Sequence, residues 1–269
     1  MKTRRLFKLA LATVIVMSFI VLNSGCESES PDDDIVAVAA ASFPDYDIDQ
    51  MKSGDDIPNT YIITLKDEGF SMSVDAVVAD IQRSYGIPQT EIQQIYSAAL
   101  KGFAVRITDE QLAALQLDKR VAAIEQDKVV NLEPYETKYS PEKSPNQLQS
   151  QSTDWGVTRV GGAGNGVGKV AWIIDTGIDL THPDLTVDVG RSKSFLSGKD
   201  GKTANDGNGH GTHVAGTIAA KNNSIYTVGV AAGATVVAVR VLNSAGSGTT
   251  SGVIAGINYV AANGATGDY

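Results

Sequence analysis

Apolar and polar positions alternate along Tyr61-Ile62-Ile63-Thr64-Leu65, a run of strand formers. From Met72 to Tyr85 the spacing changes: Val74, Val77, Val78, Ile81 and Tyr85 fall on one face of a helix. Strands are predicted again over Ile92 to Tyr96 and through Phe103, Val105 and Ile107, whose side chains share a face. Thr108 with Gln111 predicts a capping box, opening a helix whose inner stripe holds Leu112 and Leu115. Val121 to Glu125 supplies a fourth strand. The order over residues 58–133 is β-α-β-β-α-β, a small split sheet with its helices on one side.

That order predicts a ferredoxin-like α+β domain. Residues 134–152 hold Pro, Ser, Gln, Lys and Glu with little apolar content, and read as a linker and processing region. Beyond them the patterning changes. Val170 to Ile174 is almost wholly apolar, as a parallel strand buried on both faces requires. Val214 to Ala220 is small or apolar and predicts a helix packed closely on a sheet. Val236 to Leu242 is a second β-branched run, and Ser251 to Ala262 a second helix with Val253, Ile254, Ile257, Val260 and Ala261 as its stripe. Strand, helix, strand, helix over residues 153–269 predicts an open α/β fold, with a mostly parallel sheet flanked by helices. Ligands in such sheets bind beyond the carboxyl ends of strands, where Asp175 stands. The glycine-rich Gly161 to Gly168 is a turn and not a nucleotide loop. It lacks a Lys-Ser/Thr end and precedes its strand.

Charge and composition narrow the classes. Lys2, Arg4, Arg5 and Lys8 precede an apolar run from Leu9 to Leu22, then Ser24 and Gly25: an export signal over residues 1–26. Residues 27–57, acidic and alanine-rich, read as a flexible tether. A net charge of -9 disfavours a nucleic-acid partner. The single cysteine, Cys26, excludes an intrachain disulfide and a thiolate zinc cluster.

Two side chains carry the candidate chemistry. Asp175 follows an apolar strand, where a carboxylate is costly to bury unless paired. It either caps the turn through Thr176 and Gly177 or accepts the ring N–H of a histidine. His210, one of three histidines with His182 and His213, sits where a glycine-rich loop becomes a helix, and can exchange a proton near neutrality. His213, one turn on, reads as packing. The rival reading is a metal held by His210 and His213 with Asp206 nearby, though no His-Glu-x-x-His pattern is present.

Asp175-Thr176-Gly177-Ile178-Asp179 with His182-Pro183-Asp184-Leu185 resembles the aspartate motif of subtilisin-like serine proteases. His210-Gly211-Thr212-His213-Val214-Ala215-Gly216 resembles their histidine motif. The resemblance implies a serine endopeptidase precursor. Asp175 and His210 would be catalytic, and Gly246, Ser247 and Gly248 would pair with extended polypeptide substrates. No catalytic cofactor is implied, and Asp184 is either a structural calcium ligand or a turn former. Residues 58–133 resemble the family's propeptide, an intramolecular inhibitor and folding aid. Leu22-Asn23-Ser24-Gly25-Cys26 resembles a lipobox with Asn23 in an aliphatic place, so Cys26 marks either a lipid tether to the membrane or simple secretion. A Gly-Thr-Ser nucleophile motif and the oxyanion-hole asparagine region are not found. The expectation is therefore an N-terminal fragment that ends before the catalytic serine and is itself inactive. The alternatives are a non-catalytic protease-binding or inhibitory protein and a metal-dependent hydrolase.

Overall fold

The alternation along β1 (Asp56–Leu65) feeds two cores at once. The computed structural model describes residue 43 and residues 45–67, 71–133 and 150–269. Ile63 and Leu65 face α1 (Val74–Tyr85) and α2 (Asp109–Leu115), and pack with Val78, Ile81, Phe103 and Leu115. Ile62 points to the opposite face with Tyr96, Ala104 and Ala255, as the two-residue strand period demands. Ser73 caps α1 by accepting from Ala76 N–H, and Gly86 closes it at φ 61°. Thr108 and Gln111 form the expected capping box on α2. With β2 (Ile92–Tyr96), β3 (Gly102–Arg106) and β4 (Val121–Asn131), the order is β-α-β-β-α-β as read from the pattern.

The second half opens with α3 (Trp155–Arg159) and β5 (Gly164–Asn165), which pairs with β9 (Ala231–Ala232). Its centre is β10 (Thr235–Arg240), parallel to β6 (Val170–Asp175), β7 (Thr186–Val187) and β8 (Lys193–Ser194). Val236 to Val239 are fully buried. One face packs on α4 (His210–Ala219) through Ala215 and Ala219, the other on α5 (Thr250–Asn263) through Val253, Tyr259 and Val260.

Two expectations are corrected. The fold is α/β, but a mostly parallel sheet does not dominate it. The largest sheet is antiparallel, in the order β11-β4-β1-β3-β2, where β11 is Ser247–Thr249. β4 is longer than predicted and recruits β11 from the other half, pairing Asn131 with Ser247, Val130 with Gly248 and Val129 with Thr249. Among the strands of the described residues, parallel pairing is confined to the smaller sheet around β10 and the short β5–β9 pair. The expected stripe of α5 holds in part, with Val253, Ile254 and Val260 packed on the cores. Its buried residues are Ser251, Gly252, Ala255 and Gly256, while Ile257 is exposed. The helix lies against both sheets, and only small residues allow that approach. A Cβ at Gly256 would meet Val241 at 2.8 Å and Ile174 and Val239 at 3.1 Å.

The export signal, Cys26, most of the tether and most of the 134–152 linker lie outside the described residues. Among the described residues no helix is long and apolar enough to cross a membrane.

Candidate active site

β6 ends at Asp175, and β10 anchors that end: Val241 N–H and Leu242 N–H both donate to the Asp175 carbonyl. Its side chain turns towards α4, where His210 is the first helical residue. His210 Nδ1 lies 2.8 Å from both carboxylate oxygens. An ionised carboxylate can only accept, so Nδ1 carries the hydrogen and the Nε2 lone pair is left to accept a proton. The Asp175 side chain is 11% exposed and the His210 side chain 35%. The carboxylate is thus sheltered while the imidazole is partly open to solvent.

The two motifs are also tied by their backbones. Thr176 N–H donates to Asp175 Oδ1 at 2.6 Å, and Gly211 N–H donates to Thr176 Oγ1 at 2.9 Å. The approach is tight enough to need glycine, because a Cβ at Gly211 would lie 2.1 Å from the Gly177 carbonyl oxygen. A Cβ at Gly216, within the run expected to pack closely, would meet nothing within 4 Å.

Asp206, which the rival metal reading placed near His210 and His213, accepts from Thr176, Asn208, Gly209 and Thr212. Burial alone would push its carboxyl up. The hydrogen bonds from Gly209, Thr212 and Asn208 outweigh that and hold it below the ordinary range. Arg240, 2% exposed, was not visible in the pattern. It donates to the Thr203 and Asn205 carbonyls and to Ser244 Oγ, and pairs with Asp200 at 3.0 Å. A lone arginine closing a β-branched strand was its one signal.

Asn208 Nδ2 donates to the Ser244 carbonyl, joining the histidine loop to the turn before β11. Gly246 follows at φ 87°. Ser247 and Gly248 pair with β4, and the chain continues with Leu132 N–H donating to the Gly246 carbonyl at 3.0 Å. The three expected substrate-binding positions are therefore covered by β4 and the Leu132 that follows it.

Asp184 lies elsewhere, 1% exposed. Its Oδ1 accepts from Asn223 Nδ2 at 2.6 Å, and its Oδ2 is buried with no hydrogen-bond partner. His182 packs its ring on Tyr226, 5.7 Å between centroids. His210 turns to Asp175, and His213 is exposed on α4. Among the described residues there is no group of three or more His, Cys, Asp or Glu able to hold a metal ion.

Comparison with known proteins bears on this geometry. The Subtilase family (Peptidase S8) model matches residues 166–266, and the Peptidase inhibitor I9 model matches residues 60–133. The chain is 32% identical to the "Extracellular serine proteinase" of Thermus sp. (strain Rt41A), over 93% of this chain and 60% of that protein. It is 40% identical to the "Subtilisin-like serine protease AsES" of Sarocladium strictum, over 76% and 48%, respectively. It is 37% identical to the "Alkaline serine exoprotease A" of Vibrio alginolyticus, over 68% and 34%. The chain spans about half the length of the curated relatives it matches. The S8 match runs to residue 266 and overturns the expectation of a fragment that ends before the catalytic serine. The readings of an absent serine and oxyanion-hole asparagine, and of a catalytically incomplete, inactive chain, are withdrawn with it. They rested on the absence of short strings, and a string weighs a few residues where the family match weighs the whole region.

Proposed function

With residues 166–266 in the subtilase family and residues 60–133 in the I9 inhibitor family, we propose that the protein is a serine-type endopeptidase precursor acting on polypeptides. The observation that carries the reading is the Asp175–His210 pair at the carboxyl end of a parallel strand, beside a strand edge already holding an extended segment. Asp175 keeps the imidazole in the Nδ1–H tautomer and stabilises the imidazolium. Nε2 takes the proton of a serine hydroxyl as that oxygen attacks the peptide carbonyl, then delivers it to the departing amine. Substrate would add to β11 as β4 does, backbone to backbone along Gly246, Ser247 and Gly248.

The first domain acts as an intramolecular inhibitor in this reading, because it fills the strand edge a substrate needs. Side chains hold it there: Tyr96 OH donates to the Ser251 carbonyl, and Asn258 Oδ1 accepts from the Ser97, Ala98 and Ala99 N–H groups. Release follows from cutting within 134–152. The domain division is the one read from the sequence, 58–133 before 153–269. The basic, then apolar, leader supports export, with Cys26 as either a lipid attachment point or a bystander.

We also propose Asp184 as a ligand to a hard cation such as calcium, on the strength of its buried, unpaired Oδ2. Backbone carbonyls would complete an oxygen set, because Asn223 turns its Nδ2 to Asp184 and its oxygen to Ile225 N–H.

Hydrolysis of denatured casein by the wild-type protein and by His210→Ala tests the function. The reading expects activity that falls on the order of 10⁶-fold in the variant. Casein hydrolysis that persists in His210→Ala would overturn it.

A further inference from the structure

We propose that Asp206 is a positioning residue of the catalytic pair, its carboxylate setting the register between the strand end that carries Asp175 and the helix start that carries His210. This rests on the reading of Asp175 and His210 given above. Asp206 makes no hydrogen bond to either side chain; its acceptors are spent on the backbone and hydroxyls around them. Oδ1 accepts from Thr176 Oγ1, Asn208 N–H and Gly209 N–H, each at 2.9 Å. Oδ2 accepts from Thr212 N–H at 2.9 Å and Thr212 Oγ1 at 2.6 Å. Thr176 neighbours Asp175, and the other donors lie within two residues of His210. Thr176 Oγ1 in turn accepts from Gly211 N–H, so the bonds close a ring across the two motifs.

The ring answers a defect in the local sequence. α4 begins after Gly209, at φ 108°, with no side-chain cap of its own. The first-turn N–H groups of a helix lack intrahelical acceptors. Thr176 and Asp206 supply them for Gly211 and Thr212, an acidic group at a helix N-terminus. With five donors engaged the carboxylate is already satisfied, and what remains for it is geometry. Without it the glycine-rich turn 207–209 is released and the imidazole loses its aim. A misplacement of about 1 Å is worth roughly 10²-fold in rate.

The test uses the full chain labelled with ¹⁵N-histidine. The low-field proton on His210 Nδ1 is followed in the wild type and in Asp206→Asn, with kcat and KM measured on a casein-derived peptide. The wild type is expected to show the resonance, and His210→Ala to lack it. Asp206→Asn, with unchanged far-UV circular dichroism, is expected to lose or markedly shift it. Its kcat should fall about 10- to 100-fold while KM stays within about threefold. An Asp206→Asn protein that keeps both resonance and kcat overturns the proposal. If that variant does not fold, Thr176→Val and Thr212→Val each remove one hydroxyl donor. Displaced resonances in these two support the proposal, and unchanged ones overturn it. A wild-type protein without the resonance contradicts the Asp175–His210 pair itself, and the role of Asp206 falls with it.

Discussion

Asp127→Ala should loosen the seat of the first domain on the second. Asp127 is fully buried on β4 and faces the N-terminus of α5. It accepts from Ser251 N–H at 2.9 Å, from the Ser251 hydroxyl and from Lys128 N–H at 2.9 Å. In the alanine variant the Ser251 hydroxyl can turn to Thr249 Oγ1, already 2.8 Å away. The Ser251 N–H has no such choice, being a first-turn donor without a helical acceptor. One buried donor left unpaired costs about 1–3 kcal/mol, and the small void raises the expected loss to roughly 2–4 kcal/mol. Burial pushes the Asp127 carboxyl up, offset in part by the Ser251 and Lys128 hydrogen bonds. Its folded pKa therefore stands above the unfolded value of about 3.9, so the folded state holds a proton that the unfolded chain releases. The stabilisation from this group is full below the unfolded value and is lost as pH rises through the folded one. Asp127→Asn should remove that decline. Urea unfolding followed by tryptophan fluorescence across pH checks both effects. An Asp127→Ala protein within about 0.5 kcal/mol of wild type, or an Asp127→Asn protein with the wild-type decline intact, would refute the reasoning.

Two further outcomes are expected. Gly211→Ala places a methyl group 2.1 Å from the Gly177 carbonyl oxygen and 3.2 Å from Asp175 Cβ. It should cost about 1–3 kcal/mol by thermal unfolding and lower casein hydrolysis by separating the pair; unchanged Tm and activity would contradict this. Asp118 is drawn down to about 2, chiefly by its hydrogen bond with Arg120. Its stabilisation is present above the unfolded value and is lost as pH falls through about 2, so Asp118→Asn should flatten acid unfolding below about pH 4. An unaltered acid limb would count against it.

The parts of the fold that repeat locally were legible in the chain. The period change from Ile63 to Val77 and the Thr108–Gln111 box mark the first domain. The apolar run ending at Asp175 and the glycines before His210 mark where those two side chains meet. Parts that depend on distant encounters were not. Nothing near Val129 or Thr249 announces that they pair, so the antiparallel sheet outgrew the parallel one unannounced. On α5 the expected Val253, Ile254 and Val260 do pack, but a helix pressed between two sheets buries Gly252, Ala255 and Gly256 most deeply because they are small. Asp206 and Arg240 act through several backbone groups at once, and no single spacing encodes that.

The central claim is that His210, held by Asp175, activates a serine hydroxyl. Treating the purified protein with a fluorophosphonate and locating the adduct by peptide mass spectrometry tests it most directly. The account predicts one modified serine in the wild type and none in His210→Ala. No adduct in the wild type, or one that forms equally well without the imidazole, would contradict it.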